Sequence, residues 1–135
     1  MSAQFLAYGF PAFISHFGSA LAFLFLFIAI YIRITPYKEI ALIREGNTAA
    51  SASLSGAVLG YCIALASSVA HSVDLPDMLI WSAIALVIQL LAFVIARILL
   101  PDLIKDVPNT KLASGIFLGA LSLGMGILNA ACQSY

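Results

Sequence analysis

Residues 47–73, NTAASASLSGAVLGYCIALASSVAHSV, contain no Asp, Glu, Lys or Arg side chain. A helix needs about 20 predominantly apolar residues to cross the hydrocarbon core of a bilayer, which is about 30 Å thick. The stretch is long enough, and it follows directly on the charged linker that ends at Gly46. We therefore predict a transmembrane helix over about residues 48–72.

Three other stretches are equally free of charged side chains, namely residues 1–32, 78–96 and 112–135. When these stretches are trimmed at the prolines and polar turns that border them, they predict three more transmembrane helices, over about residues 11–34, 78–99 and 110–132. The chain is therefore expected to cross the membrane four times.

The composition of the whole chain supports a membrane protein. It is 63% hydrophobic and only 9% charged, whereas soluble domains carry about 25% charged residues. The formal net charge is zero, so the chain lacks the basic field that nucleic acid would require. We predict a single all-α transmembrane domain over residues 1–135, with the bilayer as its environment and no nucleic-acid partner.

The second and fourth spans share a stripe of small residues. In the second span it comprises Ser53, Ala57, Gly60, Ala64 and Ser67, and in the fourth Gly115, Gly119, Ser122, Gly126 and Asn129. Gly56 adds a GxxxG pair with Gly60, as Gly115 does with Gly119. Small residues let helix backbones approach closely in lipid. These two helices are therefore predicted to pack against each other.

Shared patterns also indicate an internal repeat, with one two-helix unit over about residues 11–72 and a second over about residues 78–132. Each unit has an even number of helices, so both copies insert in the same orientation. The predicted fold is two parallel two-helix repeats related by a pseudo-twofold axis along the membrane normal.

The basic residues predict the orientation in the membrane. All six lie in or beside the two linkers that join the helices within each unit, namely Arg33, Lys38, Arg44, Arg97, Lys105 and Lys111. Cytoplasmic loops carry an excess of Lys and Arg. We therefore predict that both linkers form a basic cytoplasmic face and that both termini are outside, which in a bacterial inner membrane is the periplasm.

Local signals place the ends of several helices. Asn47 and Asn109 each precede a Thr at the start of a span, and Asn is a favoured N-cap. The first linker, residues 36–46, resembles a short amphipathic helix with Thr35 as its N-cap, lying at the lipid headgroups. Residues 102–107 form a shorter version in the second linker.

Several runs of this sequence resemble one known family. They are TPYKEIALIREGNTAASASLSGAVLGY at residues 35–61, DLPDMLIW, IALVIQLL and the closing ILNAAC. Together they resemble the YjfL family of small bacterial inner-membrane proteins, a domain of unknown function (350). The resemblance implies four inner-membrane helices and no settled activity. Members tend to be encoded near PspA-like envelope-stress proteins, which implies a PspA-like cytoplasmic partner. One departure is that the second Asn-Thr precedes Lys111, not Ala-Ala.

Few polar side chains lie inside the spans, and the strongest outlier is Gln89. It either makes an interhelical hydrogen bond or lines a pore or cavity, and the same alternatives apply to Asn129. Ser53 either lines such a path or bonds back to its own helix, and Ser67 is a further lining candidate. His16 and His71 fall near the outer surface, where they either face headgroups or contribute to a metal or pH-sensing site. We expect no metal and no cofactor, and free thiols at the two cysteines.

Two functions remain open from the sequence. The first is an oligomeric channel or transporter for a small solute or ion, because four short helices leave no pathway within one protomer. The alternative is a non-transporting scaffold or sensor in the envelope-stress response that recruits cytoplasmic partners through the basic linkers. An enzyme is not expected, because no catalytic signature is present and no Asp, Glu, Lys or Arg lies well inside a span.

Overall fold

The computed structural model describes residues 3–133, except for the side chain of Phe5, and the regular elements in this part of the chain are all helices, without strands. In chain order the elements are a π-helical turn Phe5–Gly9, α1 Phe10–Ile34, α2 Glu39–Arg44, α3 Thr48–His71, α4 Leu75–Leu99, α5 Leu103–Asp106 and α6 Leu112–Cys132. Helices α1, α3, α4 and α6 are long and apolar enough to span a membrane. The four predicted spans are confirmed.

The linkers between α1 and α3 and between α4 and α6 lie at one end of this bundle, which we call the linker end. A hydrogen bond from Asn47 Nδ2 to the carbonyl oxygen of Val107, 2.9 Å long, joins the two linkers directly. The opposite end carries the turn between α3 and α4 and the C-terminal end of α6, and we call it the terminal end. Helices α3 and α6 both start at the linker end, so they run parallel.

The start of α6 differs from the prediction, because Asn109 does not cap this helix. Helix α6 begins at Leu112, and Lys111 occupies the N-cap position without a side-chain cap hydrogen bond. The chain turns after α5 through Thr110, which has φ of 59°, and the Lys111 N–H then donates to the carbonyl oxygen of Asp106. That turn uses residues 109–111, so Asn109 is left exposed and outside the helix.

Two other helix starts also differ from the sequence prediction. Thr35 is the C-cap of α1 and not an N-cap, because α2 begins only at Glu39 after Lys38. Helix α4 begins at Leu75, earlier than expected, since the Asp74 carboxylate accepts a hydrogen bond from the Asp77 N–H and caps the first turn.

Helices α3 and α6 are in backbone contact along most of their length. A Cβ atom added at any of five glycines would overlap backbone atoms of the facing helix, and these are Gly56, Gly60, Gly115, Gly119 and Gly126. At the terminal end, the Ser67 hydroxyl donates a 3.0 Å hydrogen bond to the carbonyl oxygen of Ala130. The stripe of small residues therefore does what its spacing predicts, which is to let two backbones meet.

Helix α4 packs against both α3 and α6, whereas α1 packs against α3 and α4. Aromatic side chains fill the junction of α1, α3 and α4. The ring centroids of Phe27 and Tyr61 are 4.7 Å apart, and those of Tyr31 and Phe93 are 6.0 Å apart. The N-terminal half of α1 is almost fully exposed. The repeat and its twofold axis remain predictions.

Candidate functional site

Gln89, the strongest polar outlier in the spans, lies at the meeting point of α3, α4 and α6. Its side chain is fully buried, and its Nε2 donates a 2.7 Å hydrogen bond to the carbonyl oxygen of Ser122. The amide nitrogen also lies so close to Gly60 that a Cβ there would come within 2.6 Å of it. Of the two alternatives given for Gln89 by the sequence, an interhelical hydrogen bond or the lining of a pore or cavity, the structure contains the hydrogen bond.

The other three candidate lining residues are also engaged in helix contacts. The Ser53 hydroxyl is fully buried and donates to the carbonyl oxygen of Ala50 at 3.0 Å. Ser67 bonds to α6, as described above. The Asn129 Oδ1 accepts a 3.2 Å hydrogen bond from Gln133 Nε2, and only 7% of the residue is exposed.

A lining role for Gln89, Ser53 and Asn129 in a path between subunits stays a prediction, and their burial argues against it. A pore between subunits must be lined by residues on the protomer surface, and these three are buried inside the protomer. The sequence could identify them as polar outliers, but not whether they face a neighbouring helix or a partner subunit. Ser67 is only partly buried, yet its hydroxyl is already used by α6.

Asn47 is the residue that organises the linker end. Its Oδ1 accepts a 2.9 Å hydrogen bond from the Ala50 N–H and so caps α3, as predicted. Its Nδ2 donates to the carbonyl oxygens of Val107 and Pro108, at 2.9 and 3.3 Å. One buried amide therefore fixes both the start of α3 and the position of the second linker.

The six basic side chains of the predicted cytoplasmic face are all exposed at the linker end: Arg33, Lys38, Arg44, Arg97, Lys105 and Lys111. Within residues 3–133, one of them takes part in an ion pair, which joins Lys111 to Asp106 at 3.4 Å. An open pocket of about 590 Å³ lies beside α2, and Lys38 and Arg44 are at its border together with Glu45. The linker end thus presents cations from both linkers without internal partners for most of them.

Sequence analysis missed a buried polar cluster beneath this face, which we call the Glu39 cluster: Tyr31, Thr35, Tyr37, Glu39 and Ser53. The Glu39 side chain is fully buried, and its Oε1 accepts a 2.6 Å hydrogen bond from the Thr35 hydroxyl. Three buried oxygens in it have no hydrogen-bond partner, and these are the hydroxyls of Tyr31 and Tyr37 and Oε2 of Glu39. The signal in the sequence was the spacing of Thr35 and Glu39, four residues apart.

Burial changes the acid–base behaviour of the cluster. Removal from water raises the pKa of Glu39 to about 7, against the opposing effect of the Thr35 hydrogen bond. The pKa of Tyr37 is raised mainly by burial and also by the nearby charge of Glu39. Ser53 approaches the Tyr37 hydroxyl and lowers this pKa, without completing a hydrogen bond of normal geometry. Glu39 is therefore a carboxyl group that titrates near neutral pH.

At the terminal end, His71 contacts its own helix, since its Nδ1 lies 3.0 Å from the carbonyl oxygen of Ser67. His16 does the same on α1, with Nδ1 2.7 Å from the carbonyl oxygen of Ala12. Among residues 3–133, no group of three or more His, Cys, Asp or Glu side chains is arranged to hold a metal ion. Cys62 and Cys132 are free thiols.

Comparison with known proteins gives a consistent family assignment. The family model described as Domain of Unknown Function (DUF350) matches residues 5–133. The UPF0719 inner membrane protein YjfL of Escherichia coli K12 is 44% identical over 124 residues, which cover 92% of this chain and 94% of that protein. The UPF0719 transmembrane protein YshE of Bacillus subtilis 168 is 25% identical over 119 residues, or 87% of this chain and 89% of that protein. No solved structure matches.

Proposed function

The chain belongs to the DUF350 family and is an integral, multi-pass inner-membrane protein, and from that premise we propose that it is a non-transporting platform that recruits a cytoplasmic partner through its linker end. In this proposal both linkers face the cytoplasm and both termini face the periplasm. The platform has no enzymatic activity of its own. The partner is a PspA-like protein of the envelope-stress response that offers acidic side chains to the basic linkers.

The observation that carries the proposal is the bridge from Asn47 to Val107. It ties the two linkers together, so that Lys38 and Arg44 of one linker and Lys105 of the other belong to one surface. Exposed charges without internal partners attract an oppositely charged protein and orient it on approach. The pocket beside α2 adds a recess bordered by Lys38 and Arg44, and also by Glu39 and Glu45.

Transport was the first hypothesis from the sequence, and the packing of the protomer weakens its basis. Of the polar side chains that would line a path, Ser67 and Gln89 bond to α6 from neighbouring helices, whereas Ser53 and Asn129 bond within or at the end of their own helices. A path between protomers would then draw on the exposed faces of the spans, which are mostly apolar and carry a few serines such as Ser15 and Ser55. The linker end, by contrast, already has the charge and exposure that a recruiting surface needs.

The test is co-purification of the detergent-solubilised protein with a co-expressed PspA-like protein. The triple variant Lys38→Gln, Arg44→Gln, Lys105→Gln is compared with the charge-preserving variant Lys38→Arg, Arg44→Lys, Lys105→Arg. We expect retention of the partner to fall about tenfold in the neutral variant, since each exposed ion pair contributes roughly 0.5 kcal/mol, and to survive in the control. Equal retention by both variants would contradict the proposal.

A second arm separates protein recruitment from attraction to lipid. The same variants are reconstituted in neutral and in anionic nanodiscs, and binding of the purified partner is measured in each. If partner binding depends on the anionic lipid and not on the three linker cations, the basic face serves the membrane surface and the recruitment proposal fails.

A further inference from the structure

The Glu39 cluster contains a buried carboxyl group, and the exposed cations of the linker end do not pair with it. Glu39 is fully buried, Oε1 is paired with Thr35, and Oε2 has no partner. The hydroxyls of Tyr31 and Tyr37 are also buried without a partner and lie within electrostatic reach of the carboxyl group. Buried polar groups are nearly always hydrogen-bonded to protein or to water, and an exception calls for an explanation such as a bound ion. Two such hydroxyl groups beside one carboxyl group with a free oxygen therefore point to an occupant.

No basic side chain supplies the compensating charge. The titratable groups that face Glu39 are Tyr31 on α1 and Tyr37 on the connecting segment, and α3 contributes the neutral Ser53. The cations on the surrounding elements are exposed, namely Lys38 and Arg44 on its own linker, Arg33 at the end of α1 and Arg97 at the end of α4. An ionised carboxylate left alone in this position would be very unfavourable.

We propose that the Glu39 cluster is a cation-binding site whose occupant, a proton or a small monovalent metal ion on Oε2, keeps the linker helix α2 docked on α1 and α3. Oxygen atoms of carboxylate and hydroxyl groups are the ligands that hard cations prefer. A proton on Oε2 gives the carboxyl group a hydrogen to donate to a tyrosine hydroxyl. Either occupant neutralises the buried charge, and loss of both forces Glu39 toward water.

The site does not depend on the recruitment proposal, because its occupancy acts on the linker itself. Glu39 is the first residue of α2 and borders the open pocket beside it, so we expect ionisation of its carboxyl group to loosen the start of this helix. The pKa of about 7 means that the proton leaves in the neutral range. The movement is therefore expected between slightly acidic and slightly basic conditions.

The experiment measures docking of α2 by cysteine labelling in neutral-lipid nanodiscs. The background carries Cys62→Ala and Cys132→Ala. Leu42→Cys reports on docking because Leu42 packs against the core, and Ala41→Cys is the matched control because Ala41 is exposed. Labelling by a maleimide is followed from pH 6 to pH 8.5 in choline chloride, sodium chloride or potassium chloride of equal concentration. The ratio of the two labelling rates removes the pH dependence of thiol reactivity.

We expect the Leu42→Cys to Ala41→Cys rate ratio to be low at pH 6 in choline chloride and to rise with a midpoint near pH 7. Each pH unit above the midpoint raises the ratio of ionised to protonated carboxyl about tenfold. If sodium or potassium keeps the rate ratio low at pH 8.5, a metal ion shares the site with the proton. If neither ion does so, the proton is the occupant. Glu39→Gln removes the pH response in both cases.

A rate ratio that stays constant from pH 6 to pH 8.5 in choline chloride would overturn the proposal. So would an unchanged pH response in Glu39→Gln. Should Glu39→Gln fail to fold, Thr35→Val provides the second test. The Thr35 hydrogen bond lowers the pKa of Glu39, so its removal must move the midpoint to higher pH, and an unmoved midpoint rejects the site.

Discussion

Asn47 Nδ2 donates a hydrogen bond of 2.9 Å to the carbonyl oxygen of Val107, and this contact connects two residues 60 positions apart in the chain. The same side chain caps α3 through the Ala50 N–H. Asn109, which precedes a threonine in the same way, does neither. The two linkers therefore differ in how they are held, although their sequences look alike.

Replacing Asn47 separates its cap of α3 from its bridge to the second linker. Asn47→Asp keeps an acceptor for the Ala50 N–H but loses the donor and brings a negative charge to the carbonyl oxygens of Val107 and Pro108. We expect a loss of about 1–3 kcal/mol in the free energy of unfolding, the usual cost of unsatisfied buried polar groups. The measurement is unfolding by SDS followed by circular dichroism. Asn109→Asp is the control, and an equal loss there would show that the bridge has no special role.

A second prediction concerns Gln89 and transport. Gln89→Leu removes the hydrogen bond to Ser122 from a fully buried site, and we expect a loss of about 0.6–2 kcal/mol in the free energy of unfolding. In liposomes, the flux of ions and small solutes should be indistinguishable from that of empty vesicles for both proteins. Flux that is present in the native chain and falls in a folded Gln89→Leu protein would restore the transport hypothesis.

The architecture was accessible from the sequence because lipid imposes simple rules. Charge-free length predicted the four spans, and the small-residue stripe predicted the contact of Gly60 and Gly126 between α3 and α6. Both rules concern single helices, where the spacing of residues determines which face they share. The prediction that Asn109 caps α6 was wrong because this helix starts only after a turn through Thr110, which local propensity alone does not reveal.

The Glu39 cluster was missed for a different reason. An acidic residue in a short linker with several cations is normally solvated, and the amphipathic pattern of residues 36–46 predicted such a surface helix. The four-residue spacing of Thr35 and Glu39 permits their hydrogen bond, but the burial of Glu39 arises from tertiary contacts of the linker with α1 and α3, which composition and periodicity do not reveal. Likewise, Gln89 could be recognised as exceptional, but the sequence could not show that Ser122 would accept its hydrogen bond.

The orientation of the chain can be tested with single cysteines in intact cells. In a background without Cys62 and Cys132, Val73→Cys lies at the terminal end, where the residue is 87% exposed, and Lys105→Cys lies in the second linker. Because basic linkers stay in the cytoplasm, we expect a membrane-impermeant maleimide to label the first variant from outside and the second only after lysis. The reverse pattern would show that the basic linkers face the periplasm.

Protonation of Glu39 should make stability depend on pH. The folded state holds the proton up to a pKa of about 7, whereas the ordinary value is 4.5, so the folded state binds more protons between these values. The free energy of unfolding should therefore be highest at or below about pH 4.5, fall as pH rises to about 7, and then level off, with a total change of roughly 3 kcal/mol. SDS unfolding at several pH values measures this change. Glu39→Gln should flatten the profile, and a profile that instead rises with pH would be inconsistent with a buried protonated carboxyl.

The backbone contact between α3 and α6 can be tested with two glycines of α6, of which Gly126 faces α3 and Gly124 does not. A Cβ at Gly126 would overlap the carbonyl group of Gly60, whereas a Cβ at Gly124 would meet nothing within 4 Å. We expect Gly126→Ala to lose about 1–3 kcal/mol of unfolding free energy through overpacking. Gly124→Ala should lose nothing and gain up to about 1 kcal/mol, since alanine favours the helix. SDS unfolding of the two variants, made two residues apart in the same helix, measures the difference. Equal stability of the two would mean that α3 and α6 do not meet at the backbone, and the packing of the bundle would have to be revised.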